Sequence, residues 1–495
     1  MKETRLARTA MERVLVLLRI RFASGARERI PLSALFVHAI VASFLCALAR
    51  GILPPFAYGL FALSLTGGLV CVPLLGELGG CLRRDPANEW VRTLPLHARE
   101  LELARVLHLL ALLACLALAS AIPAALLAPD TTALWARILL PALSVGWVVF
   151  LAALLLLIQS ALGERADGAL VLFQTGVNVL SVVGIVLGIR HLQWLARIPT
   201  LGDEEALFLW FVPPAWFAAP LGATEGEPAL IWLPLVPTFA GLALLFVLPA
   251  SAPPRRSLDS WLATLLAPAR VLANRLWVRG AERGAFDLVY EALPREREVV
   301  LRAVPLLGIP LAFLVLASGE SGDTARSGVL ALLYFTAGAY LPVLLVHVPV
   351  SATPDASWIL RTSPVPEGAL AEGTIKALAV RFLVPLYAVL ALLGATWCGP
   401  AAVLRLVLPG YLVSLLCMRW LHPRCVVAPP LSMHPEDVRF DLDRFGQLAA
   451  LALSLTVIAL LANRFLTSGT TAVGVSAALL GLELLLERNP LRKPG

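Results

Sequence analysis

Charge is scarce in this chain: Asp, Glu, Lys and Arg make up 15% of 495 residues, against 59% hydrophobic residues and a mean hydropathy of +0.83. A soluble domain keeps roughly a quarter of its residues charged, so a water-soluble globular protein is excluded and lipid is the expected solvent. Lysine is nearly missing. Only Lys2, Lys376 and Lys493 stand against 37 arginines, a bias that points to a GC-rich bacterial genome rather than to a function. Cysteine is also sparse; Cys46, Cys71, Cys81, Cys115, Cys398, Cys417 and Cys425 lie mostly in apolar runs, which excludes a disulfide framework. No G-x-x-x-x-G-K-[ST] phosphate loop occurs, so any ATP chemistry belongs to a separate chain. The first 30 residues are Arg-rich and amphipathic and hold no cleavable leader pattern, so the first apolar run is expected to direct insertion.

What the chain has in abundance is long apolar runs. About 20 helical residues cross a hydrocarbon core about 30 Å thick, and in lipid the helix must satisfy its own backbone. Runs of that kind cover Pro31 to Gly51, Phe56 to Leu75, Val106 to Leu127, Leu134 to Leu162, Ala169 to Ile189 and Ala229 to Ala250. A second set covers Ala303 to Ser318, Gly328 to Val350, Ala377 to Trp397, Ala401 to Cys417, Gln447 to Asn463 and Ala472 to Leu486. The expected fold is therefore all-α, a polytopic membrane protein of about twelve transmembrane helices in two parallel six-helix repeats. The division predicted is a first half over 1–250, an amphipathic connector over 251–302 and a second half over 303–495.

Basic residues next to spans are retained in the cytoplasm. With the amino terminus inside, 33 of the 40 Lys and Arg face the cytoplasm, which predicts a multi-pass bacterial inner-membrane protein with both termini cytoplasmic. The net charge of +7 then reflects topology rather than affinity for nucleic acid.

A short sentence is spoken twice. Trp90-Val91-Arg92-Thr93-Leu94-Pro95 recurs as Trp358-Ile359-Leu360-Arg361-Thr362-Ser363-Pro364, each copy between the second and third apolar runs of its half. The offset is 268 between the tryptophans and 269 between the prolines, and Glu12-Arg13 recurs as Glu282-Arg283 at 270, so the chain reads as an internal duplication. Each Pro can start a short helix whose preceding Arg-Thr supplies a fixed charge and a capping hydroxyl. Amphipathic stretches precede both halves. The first carries Arg13, Arg19 and Arg21 beside Val14, Leu17 and Leu18, and suits a helix lying in the membrane interface; the stretch with Glu282 and Arg283 is either its counterpart or a linker resting on acidic lipid. Between the fifth and sixth runs, Leu207 to Leu221 is apolar but broken by Pro213 and Pro214, with Trp210 and Trp216 beside the break. A Pro-Pro break prevents one continuous helix, so a re-entrant hairpin is expected there. The second half has no equivalent.

These features resemble the transmembrane subunit of ABC-2-type exporter permeases. The matching residues are Arg92-Thr93-Leu94-Pro95-Leu96, then Arg99-Glu100-Leu101 and Ala104-Arg105 entering a span, with Arg361-Thr362-Ser363-Pro364-Val365, Leu370 and Lys376 in the second half. The second copy departs by an inserted Leu360 and by Gly368 where the first has an arginine. The resemblance implies amino-terminal elbow helices, coupling loops that dock on cytosolic ATPase subunits, two of them by the pairing of loops, and a re-entrant hairpin. It implies ATP and Mg on that partner, no cofactor on this chain, contact with membrane lipid, an export substrate, and no enzymatic activity of its own. Two other readings remain. Gly76-Glu77-Leu78-Gly79-Gly80-Cys81-Leu82-Arg83-Arg84 partly matches the loop of an ATP-independent major-facilitator carrier, and a non-transporting scaffold or enzyme subunit is the third. Intramembrane polar residues, His38, His108, Gln159, Gln174, Asn178, His347, Asn463 and Glu483, are scattered along the sequence, and none has a nameable ionisable partner that would mark a site. Cys417, His422, Cys425, His434 and Asp437 match no familiar zinc spacing, so no metal is expected and a Pro-rich loop is the reading there.

Overall fold

The computed structural model describes residues 32–81, 98–162, 167–201, 204–222, 228–247, 265–296, 299–300, 303–304, 308–318, 323–351, 353–362, 365–434 and 442–488. Among these the chain is helical throughout, without a strand, and its one β-bridge joins Val350 to Met433 in parallel. Eight helices are long and apolar enough to cross a membrane. Three shorter apolar helices, Leu35–Arg50, Pro55–Cys71 and Ser454–Phe465, accompany them. Within the seventh expected run the described residues include a helix over Gly308–Ser318, eleven residues. A polytopic helical membrane protein is therefore what these elements build.

The chain forms two compact units. One comprises residues 1–166 and 184–254, the other 167–183 and 255–495. The connector expected between the halves thus belongs with the second unit, together with the beginning of the fifth span.

In the first unit, α1 (Leu32–Arg50), α2 (Pro55–Cys81), α3 (Ala98–Leu126) and α4 (Leu134–Leu162) pack side by side, and α5 (Asp167–Arg190) contributes its second part. Few charges are available to join these helices, so hydroxyls and rings do it. Tyr58 donates from Oη to the Ala124 carbonyl at 2.6 Å, and Ser120 donates to Thr66 at 3.1 Å, fastening α2 to α3. The His38 ring nitrogen Nε2 meets the Leu69 carbonyl at 3.0 Å, so this histidine joins α1 to α2. The Pro-Pro segment is broken as its sequence requires: a 3₁₀ run over Glu204–Phe211 ends, and α6 (Pro213–Gly222) begins at the prolines. Trp216 Nε1 reaches back across the break to the Trp210 carbonyl at 3.0 Å. Phe217, on α6, is fully buried against Trp147 and Phe150 of α4, while α2 covers another side. Beyond the break α6 is covered by protein, with Ala215 and Phe217 to Leu221 buried, while the 3₁₀ run before it leaves Leu207, Phe208, Trp210 and Phe211 exposed. Helix α7 (Leu235–Val247) closes the unit against α4.

The second unit holds α8 (Ala267–Leu276), α9 (Arg283–Ala292), α10 (Gly308–Ser318), α11 (Asp323–Thr336), α12 (Leu341–Val346), the short α13 (Trp358–Thr362), α14 (Glu367–Leu378), α15 (Val384–Cys398), α16 (Pro400–Cys425), α17 (Leu442–Phe465) and α18 (Gly469–Arg488). A π turn at Ala379–Leu383 splices α14 to α15 into one long rod. Gly399, at φ 85°, makes the reversal into α16, a backbone conformation only glycine adopts without strain. At the centre of this unit Tyr387 Oη donates within a cluster formed by the Tyr334 carbonyl at 2.7 Å, the Gly410 carbonyl at 2.9 Å and Ser414 Oγ at 2.7 Å. Buried hydroxyls satisfied in this way specify one helix register.

Candidate functional site

The repeated motif is described in its second copy only. Trp90, Arg92, Thr93 and Pro95 of the first copy lie outside the described residues, as do Pro364 and the first elbow residues Arg13, Arg19 and Arg21. Arg99 falls in the first turn of α3 and beside it Glu100 is buried, an acidic residue where the helix N-terminus favours one.

In the second copy the motif builds a short helix held at both flanks. The chain leaves α12 through a turn in which Val350 donates to the His347 carbonyl at 3.1 Å, and residues 348–351 run alongside the Pro-rich loop that follows α16. Leu431 donates from its backbone N–H to the Val348 carbonyl at 3.1 Å, Met433 to Pro349 at 2.8 Å, and Ser351 to Met433 at 2.9 Å. Leu431 takes a left-handed φ of 58° to make this pairing, an unusual conformation for a branched apolar residue. Ser351 also donates from Oγ to Glu296 Oε1 at 2.9 Å. A 3₁₀ turn over Pro354–Ser357 then leads into α13, where Thr362 donates back to the Trp358 carbonyl at 2.9 Å and Trp358 is 63% exposed. Arg361 is in the same short helix. Pro366 is extended, as the next helix requires, and α14 starts one residue later.

Within three turns of that start the chain enters a buried ionic network. Lys376 Nζ is fully buried and spends all three protons: on the Trp277 carbonyl at 2.9 Å, Glu282 Oε2 at 2.7 Å and Glu487 Oε1 at 2.8 Å. Glu282 caps its own helix as well, accepting from the Arg279 backbone N–H at 3.0 Å. Arg419 forms a fork with Glu483, Nε at 3.0 Å and Nη2 at 2.7 Å to Oε1, and donates from Nη1 to Glu372. Because Glu372 and Lys376 are four apart on α14, and Glu483 and Glu487 four apart on α18, each helix presents its two charges on one face. Charges placed this deep are retained only when paired and hydrogen-bonded, and these are.

The stretch holding Glu282 and Arg283 is therefore folded into the second unit as a defined helix. Helix α9 turns its apolar face inward: Phe286, Val289, Tyr290 and Leu293 are all buried in the core of the second unit. At Gly373 of α14 an added Cβ would stand 2.5 Å from the Glu282 carbonyl oxygen, so the two helices touch backbone to backbone there. Arg270 of α8 pairs with Asp287 and Glu291 at 2.7 Å each, and Arg270 and Arg381 approach the Tyr290 ring at 5.1 and 5.2 Å. Burial opposes the charge on Arg270, but the two carboxylates prevail and hold its pKa above the usual arginine value.

In the sequence Glu483 reads as an isolated polar residue, and Glu372, Arg419 and Glu487 do not stand out at all. The signal that could have found them is the i, i+4 spacing of two charge pairs inside otherwise apolar helices. Among the described residues no group of three His, Cys, Asp or Glu side chains is arranged to hold a metal ion; His422 and Cys425 are buried near the end of α16, and Asp437 lies outside the described residues. No protein-family model, curated protein or solved structure matches the chain.

Proposed function

We propose that this chain is the transmembrane permease subunit of an ATP-driven exporter of the ABC-2 type, working with a separate cytosolic ATPase. The observation that supports the reading most is the mounting of α13. A loop that transmits a push must present a grip to its partner and be rigidly joined to what it moves. Trp358 supplies an exposed grip. The pairing at Ser351 and Met433 braces the lead-in, and the Lys376 and Arg419 network braces the exit. Motion of α13 would pass through α14 to both α9 and α18, since Lys376 ties α14 to Glu282 at the start of α9 and to Glu487 at the end of α18. On this reading ATP and Mg bind the partner, the two motif copies each receive one ATPase, and the cargo leaves the bacterial cytoplasm across the inner membrane.

The test is affinity purification of the detergent-solubilised chain from its host, followed by mass spectrometry. A phosphate-loop ATPase at about two copies per chain supports the proposal. Substituting Arg92→Glu together with Arg361→Glu should remove the ATPase from the preparation while leaving membrane insertion intact. Unchanged co-purification and unchanged transport in that double variant would reject the coupling role, and the carrier and scaffold readings would take its place.

A further inference from the structure

Helices α16 and α18 run parallel and are tied together at two levels. At one end Arg405 Nη1 donates to the Thr467 carbonyl at 2.6 Å; fourteen residues further along α16 the Arg419 fork holds Glu483. At 1.5 Å per residue the ties are about 21 Å apart. Between them α18 offers small side chains, Ala472, Ser476 and Ala477, opposite Leu404, Leu408 and Leu412 of α16. The result is an open groove of about 730 Å³, within the range of roughly 300–1,000 Å³ typical of small-molecule sites. Among the described residues its lining is apolar apart from Arg405, Thr467 and Ser476, and no acidic side chain lines it. The Ser476 hydroxyl is satisfied by the Ala472 carbonyl at 2.8 Å and asks nothing of an occupant.

We propose that this groove is a binding site for an anionic glycerophospholipid, one acyl chain lying between α16 and α18 and the phosphate at Arg405. Three features select this occupant over a second copy of the chain. The apolar stripe runs from Leu404 to Leu412, about 12 Å, which is the depth of one leaflet and less than half of what a packed transmembrane helix would need. The cation stands at one end only, as a headgroup at the end of a tail requires. The small residues open a channel wide enough for a chain, whereas Leu404 and Val473, at 75% and 70% exposed, form flanking walls that remain in hydrocarbon. A neutral lipid would fill the channel equally well but would gain nothing at Arg405. The site is independent of the exporter reading, since nothing in it touches α13.

The experiment uses the full chain reconstituted in phosphatidylcholine vesicles that contain a trace of diazirine-tailed phosphatidylglycerol or, separately, the phosphatidylcholine analogue. After illumination the labelled peptides are mapped. The phosphatidylglycerol probe should label 404–412 and 472–480 about fivefold more than the phosphatidylcholine probe, the preference expected from one arginine near the membrane surface. Unlabelled phosphatidylglycerol should suppress that labelling and unlabelled phosphatidylcholine should not. Arg405→Gln should bring the two probes to parity, and Ala472→Phe should lower labelling by both. Equal labelling of the unaltered chain by the two probes would mean ordinary boundary lipid, and protection of these peptides by contact with another copy would mean an oligomer interface. Either outcome overturns the proposal. The competition between unlabelled lipids decides the matter even if a variant fails to fold.

Discussion

Lys376 is one of three lysines in the chain, and it sits where the fewest alternatives exist. Its three protons bind acceptors from three separate elements, so removing it takes the buried cation from two carboxylates at once, leaving Glu282 the Arg279 backbone N–H and Glu487 the exposed Arg279 guanidinium at 3.4 Å. Lys376→Met is expected to lower stability by about 3–5 kcal/mol, the penalty of breaking a buried ion pair from one side. Adding Glu282→Gln and Glu487→Gln should restore part of that loss, because the uncompensated charges go with it. Thermal unfolding in detergent measures both, and a triple variant no better than the single one would show that packing, not charge, is what the lysine supplies. A second residue acts at the other pole of charge burial. Asp130, in the exposed turn between α3 and α4, accepts from Arg50 at 2.8 Å and lies 3.6 Å from Arg137. The hydrogen bond and charge of Arg50, with help from Arg137, hold its carboxyl below the ordinary value of about 3.9. A carboxyl depressed in the folded state adds stability that is present above its unfolded pKa and lost as pH falls through the folded one. Asp130→Asn should therefore flatten the decline in melting temperature below about pH 4, while changing little at neutral pH where the pair is solvent-screened.

At the scale of elements, the docking of α9 on α14 decides whether the amphipathic connector belongs to the membrane surface or to the protein. Its sequence suits either surface, since Phe286, Val289 and Tyr290 would bury equally well in lipid. Gly373 settles it sterically. Any side chain there would meet the backbone of α9, so Gly373→Val should push the helices apart and cost about 1–3 kcal/mol. Gly368, one and a half turns earlier on α14, has open space around it, and Gly368→Val should show no comparable loss. Limited proteolysis between 277 and 297 reports the separation directly, and equal protection in the two variants would contradict close docking. The broken segment before α6 shows the reverse case. There Pro213 and Pro214 dictate the break by themselves, and what surrounds it only decides that α6 beyond the break is buried.

At the scale of the whole molecule, the unit boundaries do not follow the two halves expected from the sequence. Residues 167–183 belong with the second unit, where Val171 packs against Val300 and Val304, and the Thr175 carbonyl oxygen stands 2.8 Å from where a Cβ on Gly308 would lie. A fragment of residues 255–495 alone lacks that helix. It should be less monodisperse in detergent and more protease-sensitive than the same fragment co-expressed with residues 1–254; equal behaviour of the two would mean that the borrowed segment contributes nothing to the second unit. The composition and the length of the apolar runs were enough to determine a helical membrane protein, because a continuously apolar run of about 20 residues satisfies its backbone in hydrocarbon as a helix, whereas barrel strands are shorter and alternate in polarity. Two prolines in succession determined the break before α6, because ring geometry acts locally. Which charges pair was not legible in the same way. Glu282, Lys376, Arg419 and Glu487 are separated by up to 205 positions, and each lies outside the apolar runs, where a charge reads as ordinary. Only the tertiary structure brings them together, because the desolvation penalty of each charge is met by groups that come from other helices.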